Sequence, residues 1–383
     1  MQIKATNNLE LLKFIGHACS NADSRQTSID AFDFVLITND ENGLRITASN
    51  GNQTFIRECE SSDVVATAQG SVCLDAGKLF QVVRSLPKNT PVSLKLVKGK
   101  DRAMVSCGRS RLQIKTIDCQ NYPTVPLLDN EQQRFTCDAE VVIGMLKRTM
   151  YATGKKDVRA YLNSVMVQTI NNCLFVVGTD GHRLAANREM LHGESVNDCQ
   201  ILIPVHAVSV LTRLSEPSDK ITISISESRV EFKWGTLVYR TNLVDAKYPD
   251  IRRVIPAPSN KKAVVNRIEF IDVLSRLIVI LAGEVAPKVK LNFANNVIQL
   301  TTVNNELGKG NDDNENLGTD EISAIISEDI GFDFYLNPRY LIDALNNTPD
   351  DQVTIELKDV TSPALITPTV SRTSLNLVMP FRA

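Results

Sequence analysis

Apolar residues recur along this chain with two alternating periods. Six segments follow the i, i+3, i+4 spacing of a helix with one buried stripe, starting near Asn7, Asp75, Asp138, Pro204, Arg267 and Pro338. Leu79, Val82, Val83 and Leu86 mark the second stripe, Val142, Met145 and Leu146 the third. Phe270, Val273, Leu274 and Leu277 mark the fifth, and Leu341, Ala344 and Leu345 the sixth. Asp75 and Asp138 suit helix N-caps, while Pro204 and Pro338 suit a first turn. Between these segments the period changes to two. Runs from Val92 (VSLKLVKG), Arg111 (RLQIKTI), Ile221 (ITISISES), Val297 (VIQLTTV) and Val353 (VTIELKD) alternate apolar with polar, which predicts half-buried strands.

The helix starts recur about every 65 residues, and a coarser repeat overlies them. A strand-like run ending in Tyr-Pro or Met-Pro closes at Pro123, Pro249 and Pro380. The chain therefore divides into three domains, expected at 1–126, 127–255 and 256–383, each with two helices on antiparallel sheet. That is an α+β fold class. Residues 304–320 (NNELGKGNDDNENLGTD) interrupt the rhythm and predict an exposed loop.

Composition narrows the function classes. Hydrophobic residues at 43% supply a core for each domain and exclude a disordered chain. The 42 basic and 44 acidic residues nearly cancel, so the protein is not a uniformly basic nucleic-acid coat. A cancelled total still permits charge gathered on one surface. The eight cysteines form no CxxC pair and no zinc-ligand spacing with histidine, and read as small buried thiols of a reducing compartment. No signal peptide is read at the start, and the longest apolar run, 277–283, is too short to span a bilayer, so a cytoplasmic location is expected.

Phosphate-binding loops and metalloprotease motifs are absent from the sequence. The most enzyme-like string is Gly178-Thr-Asp-Gly-His-Arg183, where Asp180 and His182 flank a glycine. Placed between LFVV and LAA, it reads better as a turn between strands than as an acid–base pair. No cofactor and no catalytic residue is assigned. Basic residues on the helices (Lys13, Lys78, Arg84, Lys147, Arg148, Arg213, Arg276, Arg339) lie mostly off the apolar stripes, and a shared surface of them would suit phosphate contact without base readout.

Three strings carry a resemblance: Thr179-Asp-Gly-His-Arg-Leu-Ala185, Tyr248-Pro-Asp-Ile-Arg-Arg-Val254 and Val378-Met-Pro-Phe-Arg382. With the threefold repeat, and with Val83-Arg-Ser-Leu-Pro87, Gly108-Arg-Ser-Arg111, Asp157-Val-Arg159 and Tyr161-Leu-Asn163, the chain resembles the bacterial sliding clamps. These are the beta subunits of the replicative DNA polymerase III. The resemblance implies three repeated clamp domains, a head-to-tail dimeric ring around duplex DNA, and no enzymatic activity of its own. It implies partners that dock in turn through a short linear motif: the polymerase catalytic subunit, the clamp loader and repair proteins. A ring basic within and acidic without also accommodates a near-zero net charge.

The same resemblance places a partner-peptide pocket at Leu162, Thr179, Gly181, His182, Arg183, Leu184, Pro249, Arg253, Val254, Asn337, Tyr340, Leu377, Val378, Met379, Pro380, Phe381 and Arg382. It places DNA-facing residues at Arg25, Lys78, Arg84, Lys147, Arg148, Lys156, Tyr161 and Arg213, with Ala160 where the family has a second tyrosine. The dimer seam is expected at Arg109, Arg111, Leu112 and Ile114 on an edge strand, facing Ile280, Leu281 and acidic residues near 304–320. Two rival readings are a non-topological DNA-binding repair accessory protein and a hydrolase using Asp180 and His182.

Overall fold

A computed structural model describes the chain except residues 23–28, 60, 98–100, 124, 126–127, 129, 193–195, 215–219, 304–317, 372 and 382–383. Helices form at each predicted start: α1 (Asn8–Asn21), α2 (Ala76–Ser85), α3 (Ala139–Met150), α4 (Val205–Leu211), α5 (Arg267–Ile280) and α6 (Pro338–Asn346). The first turns of α1, α2, α5 and α6 carry side-chain caps, each contributing about 1 kcal/mol. Asn7 accepts from Leu9 N and Glu10 N, Asp75 from Lys78 N, and Asn266 from Ile268 N and Glu269 N. Asp138, expected as a cap of α3, ends a strand and pairs with Lys220 Nζ at 2.7 Å. All five period-two runs are strands.

The repeats pack into two compact units. The first comprises residues 1–140 and 213–243. Here α1 packs on α2. Among the described residues one antiparallel sheet runs through the unit, and Gln53–Glu58 pairs with Leu237–Asn242 in the register Phe55↔Tyr239. Both rings are fully buried, and Tyr239 Oη donates to Gln53 Oε1 at 2.8 Å. The first third of the chain is thus extended edge to edge by strands of the central third, which covers an otherwise open edge.

The second unit comprises residues 141–212 and 244–383. Its sheet joins the other half of the central third to the C-terminal third: Arg183–Met190 pairs with Ser374–Val378. Helices α5 and α6 pack together over one face through Phe270, Leu274, Leu277, Leu341 and Leu345. Burying such side chains stabilises by roughly 1.5–3 kcal/mol each.

Close packing of α3 depends on a glycine in the strand Cys173–Thr179. A Cβ at Gly178 would lie 2.8 Å from Thr149 O and 3.0 Å from Thr153 Cγ2. Gly178→Ala should therefore cost about 1–3 kcal/mol and lower the melting temperature; an unchanged melt would mean that α3 packs less closely.

Two expectations need adjustment. Residues 304–317 of the expected loop lie outside the described residues, but Thr319 and Asp320 open the strand Thr319–Ile326. Asp320 Oδ2 accepts from Arg276 Nε at 2.8 Å. The cysteines are all free, and only Cys19, Cys73, Cys107 and Cys137 are buried, the other four being half-buried. Burial pushes the Cys137 thiol up to about 12, with Asp138 adding to the effect. No helix among the described residues is long and apolar enough to cross a membrane.

Candidate functional site

The turn at 180–182 connects Cys173–Thr179 to Arg183–Met190, and its own side chains close it. Gly181 has φ 88°, a conformation that glycine adopts without steric cost. Asp180 accepts from His182 N at 2.9 Å and Arg183 N at 3.0 Å, and pairs with Arg183 Nε at 3.0 Å. Thr179 Oγ1 donates to Arg183 O at 2.7 Å and accepts from Gly181 N. Asp180 is thereby committed to the turn, and the His182 ring stacks on Tyr340 at 6.4 Å. This arrangement serves shape rather than acid–base chemistry.

Arg183 braces the site. Its side chain is 12% exposed and lies between Asp180 and Asp343, over the rings of Tyr340 (4.6 Å) and Tyr151 (5.3 Å). Burial alone would lower its pKa, but Asp343 and Asp180 hold it above the usual arginine value. Asn337 caps α6 by accepting from Arg339 N at 2.9 Å, which sets the helix that carries Tyr340 and Asp343. Tyr151 Oη donates to Asn376 Oδ1 at 2.8 Å. Tyr151, Asp343 and Asn376 are absent from the expected set; Asp343 alone had a local signal, lying i+3 from Tyr340 on one helix face.

Beside this brace lies an apolar cluster at the expected peptide pocket, a candidate groove. Leu184 and Leu377 are cross-strand partners and cluster with Met166, Val177, Leu202 and Tyr248. Met379 N donates to His182 O at 2.9 Å and continues the pairing, leaving Met379 42% exposed at the rim with Val254. Pro249 and Arg253 are exposed, the latter beside the 3-10 turn's capping residue Asp250. Phe381 N donates to Tyr335 O at 2.9 Å, and Lys288 Nζ sits 5.0 Å from the Phe381 ring centroid. Pro380 between them is half-buried and Leu162 is buried. Val378 corrects the expectation: consecutive strand residues face opposite ways, and its side chain fills the core under α5 and α6. Arg382 lies outside the described residues.

The expected DNA-facing residues divide. Lys78, Arg84, Lys147, Lys156 and Arg213 are exposed. Arg148 is not free: its Nε donates to Asn187 Oδ1 at 3.2 Å, and burial lowers its pKa. Tyr161 packs edge-on against Tyr248 at 6.1 Å, alongside the groove's apolar cluster. Arg25 lies outside the described residues. Lys156 stands in a tight loop with φ 60°. Asp157 pairs there with Arg159 at 3.0 Å, and its backbone exchanges hydrogen bonds with the Asn163 side chain. The Arg159 hydrogen bonds hold the Asp157 carboxyl down at about 2.

The expected seam is partly corrected. Strand Ser110–Ile117 pairs with Arg102–Cys107 over residues 110–115 and with Gly70–Asp75 only at Thr116 and Ile117. Its 110–115 stretch is an open edge among the described residues. Leu112 is exposed there, as are Arg111 and, in the adjoining turn, Arg109. Ile114 turns into the core and Leu281 packs into the core of the second unit. At the end of α5, Ile280 is exposed as expected, and Val279, which was not anticipated, is 71% exposed.

Repeated helix-and-sheet modules with an arginine-braced apolar cluster define the fold class of this chain. Models of the DNA polymerase III beta subunit match the chain in tandem: the N-terminal domain at residues 2–126, the central domain at 136–250 and the C-terminal domain at 252–382. The beta sliding clamp of Vibrio cholerae is 28% identical over 349 residues, covering 91% of both chains. That of Caulobacter vibrioides is 26% identical over 377 residues, covering 97% of both. Among solved structures, a Caulobacter crescentus beta sliding clamp superposes with TM-score 0.90 at 25% identity over 100% of this chain and 99% of that one. A Pseudomonas aeruginosa sliding clamp bound to griselimycin shares the fold, with TM-score 0.90 at 24% identity over the whole of both chains. The chain belongs to the DNA polymerase III beta subunit family, the bacterial sliding clamps.

Proposed function

We propose that this chain is a DNA sliding clamp, which encircles duplex DNA and tethers the replicative polymerase to confer processivity. It is a non-catalytic subunit that acts in the cytoplasm as a head-to-tail homodimer. The three tandem family domains support this reading, and we assign them to 1–126, 127–255 and 256–383. The observation that carries the tethering role is the apolar cluster on the ladder Arg183↔Val378, which we read as a groove with buried Leu184 and Leu377 as its floor and exposed Met379 and Val254 at its rim. Apolar anchors of a short linear motif would seat there, and the polymerase catalytic subunit, the clamp loader and repair proteins would use it in turn.

For DNA, exposed Lys78, Arg84, Lys147, Lys156 and Arg213 supply phosphate contacts that carry no base readout. Such contacts exchange readily, as sliding requires. For closure, the open edge at 110–115 with Leu112 and Arg111 would meet Ile280 and Val279 of a second copy, and isologous pairing of unlike edges is not available, so joining is head to tail. A solution mass near twice 42.3 kDa is the expected result, and a monomer at micromolar concentration would contradict the ring. A non-topological accessory role is not favoured by any of these features.

A further inference from the structure

Period two along the strands of the second unit separates two faces. Ala263, Val265, Ile355 and Ile366 lie in the core with α5 and α6. Their neighbours Val264, Thr354 and Thr367 lie on the other face, where they line a cavity of about 780 Å³. Ile251, Ile255 and Leu375 form its apolar wall, and Ile325, 70% exposed, stands at its far side.

This trough continues the peptide groove. Ile251, Ile255, Leu375 and Ala186 belong to the same apolar cluster as Leu184 and Leu377. Along the paired strands, Leu184 is followed on the same face by Ala186 and then Arg188, and Leu377 is preceded by Leu375 and then Thr373. From Leu184 to Arg188 an extended chain covers about 13 Å. The charges at this end are mostly positive: Arg188, Arg252 and Lys262 against Glu356. Glu356 is already engaged by Lys262 Nζ at 3.1 Å and by Ser259 N at 2.7 Å, and Arg252 by Asp250 at 2.8 Å. Arg188 is exposed and has no ion-pair partner among the described residues.

We infer that the trough receives the residues that flank a partner's clamp-binding motif, an extended stretch of about four residues with one apolar side chain and one carboxylate. The apolar side chain packs on Ile251, Ile255 and Leu375, and the carboxylate pairs with Arg188. The inference rests on the peptide-groove reading above, and it gives the groove a second determinant by which partners sharing one motif differ in affinity.

The test uses labelled synthetic peptides with the full-length dimer. One is the short motif from the cognate polymerase tail, and two others carry Ser-Ile-Ser-Asp added at its N- or C-terminal end. The expected result is that one extended peptide binds about tenfold more tightly than the motif alone. Arg188→Glu should remove that gain while leaving the affinity of the bare motif unchanged, which also reports that the groove is folded. No gain from either extension, or a gain that survives Arg188→Glu, would overturn the inference. Failure of the bare motif to bind would instead count against the groove itself. A solution mass altered by Arg188→Glu would identify a second copy as the occupant and overturn it as well.

Discussion

Arg183→Ala should weaken binding of a partner's motif peptide by about a hundredfold and lower the melting temperature. The guanidinium is nearly buried and holds Asp180 on the turn and Asp343 on α6, while its plane covers Tyr340 and Tyr151. Removing one member of a buried charged network leaves the carboxylates uncompensated, typically at a cost of about 3–5 kcal/mol. A hundredfold in affinity corresponds to about 2.8 kcal/mol, just below that range, because Asp343 is 46% exposed and partly screened by water. The loss falls on the groove because the turn at 180–182 and the α6 face with Tyr340 form its polar side. Arg183→Lys is expected to recover only part of the affinity, since an ammonium keeps the charge but not the fork or the stacking. Titration of the peptide and a thermal melt on both variants check this; unchanged peptide affinity in Arg183→Ala would contradict the bracing role.

Deletion of residues 379–383 should abolish stimulation of the polymerase and leave the dimer intact. The ladder with Arg183–Met190 ends at Val378, so the sheet loses only the bond from Met379 N to His182 O. What the deletion removes is Met379 at the groove rim and the contact of Phe381 N with Tyr335 O. The proposed seam residues lie elsewhere, at 110–112 and 279–280. Full stimulation by the shortened chain would refute the groove, and loss of the dimer would refute the separation of groove and seam.

The helices were legible because their signals are local. An apolar stripe and a cap such as Asp75 or Asn337 lie within one or two turns of each other. The period-two strands were legible for the same reason. Which strands meet was not, since the pairing of Phe55 with Tyr239 joins positions far apart in the chain. At the seam, Leu112 and Ile114 share one face of their strand, and the core extends over Ile114 but stops short of Leu112. No property of the pattern RLQIKTI says where a core ends. Position by resemblance therefore did not indicate that Ile114 is buried. Val378 differs: beside Leu377 in a strand, only one of the two could face the groove, and the alternation contained that answer. The Arg183 brace depends on Asp343, 160 positions away, and on Tyr151. Only folding brings those groups together.

Tethering, processivity and partner exchange all depend on topological linkage of the ring to DNA. The direct measurement is retention of the loaded protein on a nicked circular plasmid compared with the same plasmid cut once, at a salt concentration that removes phosphate-bound protein. The account predicts that the protein stays on the circle and runs off the linear molecule. Equal loss from both would contradict it.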